Sequence, residues 1–78
     1  MVENQVILYA KPGCCLCDEV RGQLRRLQER RSFAITEVNI LEDAAAFHKF
    51  AEDIPVVFVN GHPAFRHRLE ESKFLSLL

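Results

Sequence analysis

Residues Lys11 to Glu19 read KPGCCLCDE, with three cysteines in four positions where an apolar run gives way to charge. Upstream, VILYA (Val6 to Ala10) is an apolar run of strand length, and Lys11, Pro12 and Gly13 bring it to an end. Downstream, Leu16, Val20, Leu24 and Leu27 form the stripe of an amphipathic helix, with Asp18 and Glu19 in its first turns and arginines toward its end. Cys14 is therefore expected at a strand-to-helix junction. Unpaired N–H groups and the positive end of the helix dipole favour a thiolate there, Lys11 adds positive charge, and Cys17 falls one turn further along the same face.

The remaining elements follow from the same kind of reading. FAITEVNI (Phe33 to Ile40) is rich in β-formers, although its apolar alternation slips phase between Ile35 and Val38. EDAAAFHKFAED (Glu42 to Asp53) suits a short helix capped by Asp43, with Ala44, Phe47 and Ala51 turned inward. PVVFV (Pro55 to Val59) is a second continuous apolar strand, Asn60-Gly61 a two-residue hairpin turn, and His62 to Arg68 an antiparallel edge strand. Leu69, Phe74, Leu75, Leu77 and Leu78 give the segment from Glu70 to Leu78 the character of a final helix covering the sheet. The order is β-α-β-α-β-β-α. Strand, helix and strand in succession imply a parallel crossover, whereas the Asn-Gly turn demands an antiparallel pair. The expected class is therefore α/β, a four-stranded mixed sheet flanked by helices in one domain over residues 1–78.

Composition narrows what such a domain does. Apolar residues make up 49% of the 78 positions and include six Phe, enough for a small core. The cysteines lie too close together to close any long loop, so they are not needed as staples and are more naturally reactive or metal-binding. A net charge of −1, from 10 basic and 11 acidic residues, offers no global field to nucleic acid or anionic membrane. Arg21, Arg25, Arg26, Arg30 and Arg31 cluster, but no aromatic residues interleave them, and they suit the solvated face and last turns of a helix. No stretch approaches the roughly 20 apolar residues of a membrane span. Glu3 ahead of a short apolar run is unlike a secretory leader, so a cytoplasmic protein is expected.

The thiol spacing assigns Cys14 as nucleophile and Cys17 as the thiol that resolves a mixed disulfide formed on it. Cys15 lies about 100 degrees around the helix and is an auxiliary thiol: an alternative resolver, a site of side oxidation, or an inert small residue. The last is favoured, because the other two already account for exchange. Zinc would need four ligands, usually two from each of two knuckles, and the chain has no second C-x-x-C. His48, His62 and His67 belong to distant elements or to opposite faces of one strand, so no metal site is expected within a chain. A cluster bridged between two copies, each giving one or two thiolates, stays open as an alternative.

KPGCCLC opening a helix, with Ile54-Pro55 later preceding VVFVNG, resembles the glutaredoxins of the thioredoxin superfamily. The likeness is closer to small glutaredoxin-like proteins with the pattern Leu-Tyr, a basic residue, Pro-Gly-Cys, a variable residue and Leu-Cys-Asp-Glu. Here Leu8, Tyr9 and Lys11 to Glu19 carry it, with Cys15 in the variable place. The resemblance implies a thioredoxin-like fold of glutaredoxin type and a thiol-disulfide oxidoreductase that reduces protein or glutathione mixed disulfides through Cys14 and Cys17. It also implies substrate contacts from Lys11 and from the Ile54-Pro55 backbone, with Pro55 cis and the Ile54 backbone free to pair with an incoming thiol peptide as an added strand.

The chain departs from glutathione-using relatives in two places. Leu16 stands where an aromatic residue usually precedes the second cysteine, and Phe65-Arg66-His67-Arg68 occupies the region of their Gly-Gly motif. Glutathione is thus a candidate co-substrate of weak affinity, and a disulfide-bearing protein or small thiol the expected partner, for a monomer with no bound cofactor. Two rival readings use the same residues: an iron-sulfur or metal-carrying module, and a non-catalytic redox sensor.

Overall fold

The computed structural model describes residues 3–78. Its elements are β1 (Asn4–Ala10), α1 (Cys15–Gln28), β2 (Phe33–Asn39), a single 3-10 turn (Ile40–Glu42), α2 (Ala44–Phe50), β3 (Val56–Val59), β4 (His62–Arg66) and α3 (Glu71–Ser76). The strands lie in the order β2-β1-β3-β4. β1 runs parallel to β2, while β1 with β3 and β3 with β4 are antiparallel, the mixed four-stranded sheet that the element order requires.

Alternation along β1 sets the layers. Val6, Leu8 and Ala10 are wholly buried on one face, where they join Val20, Leu24 and Leu27 of α1 and Phe74 of α3 in the core. Ile7 and Tyr9 point the other way and are half-covered. On that side the Tyr9 ring lies 4.6 Å from Phe50 and 5.4 Å from Phe58, a tilted and an edge-on contact beneath α2. At the hairpin, Asn60 and Gly61 take φ values of 51° and 85°, both in the left-handed region that a two-residue turn matched to strand twist needs.

Three expectations change on contact with the structure. β2 pairs with β1 without a break, from Asn4 opposite Phe33 to Ala10 opposite Asn39. The apparent slip arises because Glu37, opposite buried Leu8, occupies a position facing α1 and is satisfied there by Arg21. Arg21 is therefore not on the solvated face with the other arginines. Its Nε and Nη2 donate to the two Glu37 oxygens at 2.7 and 2.8 Å, and its Nη1 donates to Asp18 at 2.6 Å.

In α2 the Asp43 cap forms, Ala46 N–H donating to its carboxylate at 3.1 Å. The inward pair, however, is Ala46 and Phe50, whereas Ala44 is exposed and Phe47 is 45% exposed. Three successive alanines leave the phase of so short a helix undetermined by sequence. β4, finally, stops at Arg66 instead of Arg68. His67 adopts φ 68°, Arg68 N–H donates to Arg66 O at 2.8 Å, and the chain makes a γ-turn.

The register brings one end of the sheet to a focus. Ala10 lies opposite Asn39, Tyr9 opposite Val56, and Val56 opposite Arg66. Lys11 to Cys14, Ile54-Pro55 and His67-Arg68 therefore leave or enter the sheet side by side.

Candidate active site

Gly13 (φ 77°) turns the chain out of β1 in a conformation that suits glycine. Cys14 follows as the N-cap of α1, with extended φ and ψ of −96° and 113°. Its Sγ accepts the backbone N–H of Cys17 at 3.3 Å and its carbonyl accepts that of Asp18 at 3.0 Å. A sulfur thus stands where Ser, Asp or Thr ordinarily satisfies an orphan helix donor, and that contact strengthens as the sulfur takes on negative charge.

The three thiols, all unbridged, differ in access: Cys15 is exposed, Cys14 half-buried and Cys17 fully buried. Burial, and then a hydrogen bond shared with Cys14, push the Cys17 thiol up to about 11; a backbone hydrogen bond at Lys11 and the charge of Arg21 work weakly against this. The fold therefore brings Cys14 and Cys17 together as an unequal pair, the deeper one protonated at neutral pH, and leaves Cys15 facing solvent.

This burial has a measurable consequence. The folded-state value of Cys17 lies above its ordinary 9.0, so the neutral thiol contributes its full stability below pH 9 and loses it as pH rises through about 11. Across that window the protein is expected to lose roughly 2 to 3 kcal/mol more than a Cys17→Ala variant, which has nothing to titrate there. Urea denaturation at both pH values checks this, and parallel profiles for the two proteins would contradict it.

Ile54 and Pro55 are buried beside this end of the sheet, and the bond between them is cis. The resemblance implied a free Ile54 backbone, but half of it is engaged. Its N–H donates to Phe50 O at 3.1 Å because the C-terminus of α2 runs directly into it; no described group donates to its carbonyl. A peptide added as a strand finds one ready acceptor, and a second bond requires the Phe50 contact to open. Lys11 is exposed and takes part in no ion pair among the described residues.

Two neighbours of the site escape the reading by motif. Arg21 reaches the thiols through the helix, one turn beyond Cys17. His67 is tied to the cis-proline side of the site through its N–H, which donates to Pro55 O at 2.8 Å. The one local signal for the second is a cationic run, Arg66-His67-Arg68, directly after a strand that turns back beside an X-Pro pair. Among the described residues no three His, Cys, Asp or Glu side chains gather into a group able to hold a metal ion, and the three histidines are exposed. Nor is any described helix long and apolar enough to cross a membrane.

Comparison with known proteins gives this geometry a context. The profile of the glutaredoxin-like domain matches residues 5–78. A glutaredoxin-like protein of Dictyostelium discoideum is 30% identical over an alignment of 71 residues that covers 83% of this chain and 66% of the relative, so the chain spans just under two thirds of that protein's length. Among solved structures, a Nitrosomonas europaea protein determined by NMR has a TM-score of 0.86 at 22% identity, covering 100% of this chain and 94% of that one. A mutant thioredoxin from Halobacterium salinarum has a TM-score of 0.67 at 18% identity, over 96% and 71% of the respective chains. At such identities the two structures speak for the fold, which is thioredoxin-like.

Proposed function

The chain belongs to the glutaredoxin-like domain family, and on that premise we propose that it is a thiol-disulfide oxidoreductase in which Cys14 attacks and Cys17 resolves. Membership supports a redox-related role. The observation that carries the finer reading is the capping contact, Cys14 Sγ accepting the N–H of Cys17 at 3.3 Å, with the Cys17 thiol fully buried one turn along the helix.

The Cys14 thiolate attacks one sulfur of a substrate disulfide, forming a Cys14-substrate mixed disulfide and releasing the other substrate sulfur as a thiolate. Cys17 then gives up its proton to the departing thiolate or to water and attacks Cys14 Sγ. The second substrate thiol leaves, and a Cys14–Cys17 disulfide remains. Two electrons pass from the dithiol to the substrate, and an external thiol or dithiol reductant restores the starting state. No resident cofactor enters the scheme. The partner is a disulfide-bearing protein or small thiol compound, held by the exposed Lys11 and the Ile54 carbonyl, in a reducing compartment such as the cytoplasm.

A Cys17→Ser variant tests the division of labour. Incubated with a disulfide substrate, it is expected to accumulate a mixed disulfide that peptide mapping places on Cys14, while the native chain accumulates a Cys14–Cys17 bridge. Mapping of the adduct to Cys15 instead would overturn the assignment. A redox sensor would form the same bridge but would not turn over with substrate and reductant in excess.

A further inference from the structure

Along α1, beginning at the residue after Cys17, runs a groove that exchange chemistry alone does not require. It extends from the first turn of α1 to the link between β4 and α3, encloses about 430 Å³, and has Asp18, Glu19 and Arg26 on one side and His67, Arg68 and Leu69 on the other. Its charges are unevenly matched. Asp18 is committed to Arg21 at 2.6 Å, whereas Arg26 and Arg68 enter none of the ion pairs among the described residues. That leaves Glu19 as the single uncommitted carboxylate against two guanidinium groups.

The positions of these groups relative to Cys14 limit what fits. Gly22 gives the groove a bare floor, and the Arg26 guanidinium folds back over it: Arg26 Nη1 lies 3.5 Å from the place a Cβ on Gly22 would occupy. Gly22 stands eight residues beyond Cys14, about 12 Å along the helix axis at 1.5 Å per residue. The opposite wall is tied to the site by the His67 N–H bond to Pro55 O, so its distance from a substrate lying at Ile54 is fixed. An extended peptide advances about 3.3 Å per residue, so its third or fourth residue from a cysteine bridged to Cys14 arrives beneath Arg26.

Resting on the exchange reading above, we propose that this groove is a specificity site for protein substrates that carry a Glu or Asp side chain three or four residues from the reactive cysteine. Two planar guanidinium groups suit a carboxylate, which they can bind in forked hydrogen bonds. In a tripeptide such as glutathione neither end lies more than one residue from the cysteine, so that substrate does not span the distance. The site therefore separates protein disulfides from glutathione by reach to Arg26, not by charge.

The test uses the full chain in single-turnover reduction of peptide mixed disulfides with Glu or Lys at the third and fourth positions, normalised to the neutral bis(2-hydroxyethyl) disulfide. The Glu peptides are expected to react about five- to tenfold faster at low ionic strength, an advantage that shrinks toward unity in about 1 M salt. Arg26→Glu with Arg68→Glu reverses the ratio. Gly22→Leu fills the floor and removes the preference, in a helix that tolerates Leu better than Gly. Equal rates for the Glu and Lys peptides, or an unchanged preference in the double variant, would overturn the proposal. Binding of a labelled Glu peptide with Ser in place of Cys, followed by fluorescence anisotropy, probes the groove without chemistry. If that peptide binds and its Lys counterpart does not, while no disulfide is reduced, the groove assignment stands and the exchange reading fails.

Discussion

Cys14→Ser is expected to bring disulfide reduction down to the uncatalysed rate while leaving the protein folded. The residue is the nucleophile and also the N-cap of α1, and the substitution separates these roles. A serine hydroxyl caps a helix at least as well as a thiol, so the contact from Cys17 N–H is kept and the helix start stays intact. It cannot, however, form or pass on a disulfide under these conditions. Circular dichroism and thermal unfolding close to those of the native chain, together with absent turnover, are the anticipated pair of results. Full reductase activity in Cys14→Ser would remove the foundation of the proposed mechanism. Cys15→Ser, changing an exposed sulfur outside the capping contact, should stay close to native activity in the same assay.

Phe74→Ala should have the largest effect on stability. This ring is fully buried, lies edge-on to Phe33 at 5.2 Å and tilted to Phe65 at 6.4 Å, and ties α3 to both the start of β2 and the edge strand β4. Truncating a buried Phe to Ala costs about 3 to 5 kcal/mol through lost transfer energy and the cavity left behind. A domain of this size has a total stability of only about 4 to 12 kcal/mol, so the variant is at or near the point of unfolding. α3 has just six residues and is too short to persist without that anchor. Urea denaturation measures the loss, and a change below about 1 kcal/mol would show that the core relies on Phe74 far less than its burial implies.

The parts of this molecule legible in its sequence are those decided by neighbours along the chain. Gly13, Cys14 and the stripe from Val20 to Leu27 specify a turn, a cap and a buried face within a few residues, so the strand-to-helix junction, with Cys17 one turn beyond Cys14, could be anticipated. Asn60-Gly61 fixes the hairpin for the same reason. What escaped depends on contacts across space. Glu37 looks like an error of alternation until Arg21 arrives from α1 to meet it. Phe47 and Phe50 compete for the inward place in α2, and only the sheet beneath decides between them. His67 ends β4 by taking a positive φ, uncommon outside glycine, with its N–H held by the carbonyl of Pro55 just ahead of β3. The Ile54 N–H, in turn, is taken by α2, an element whose end the sequence placed only loosely.

The graded cover over the three sulfurs also determines how the protein ages under peroxide. A thiol is driven to sulfinic and sulfonic acid only where oxidant and water can reach it. Cys17, shut inside, is therefore expected to be the last of the three to be overoxidised. On the proposed mechanism, as long as that deepest sulfur survives intact, a sulfenic acid formed on Cys14 would condense with it and be recovered as a disulfide.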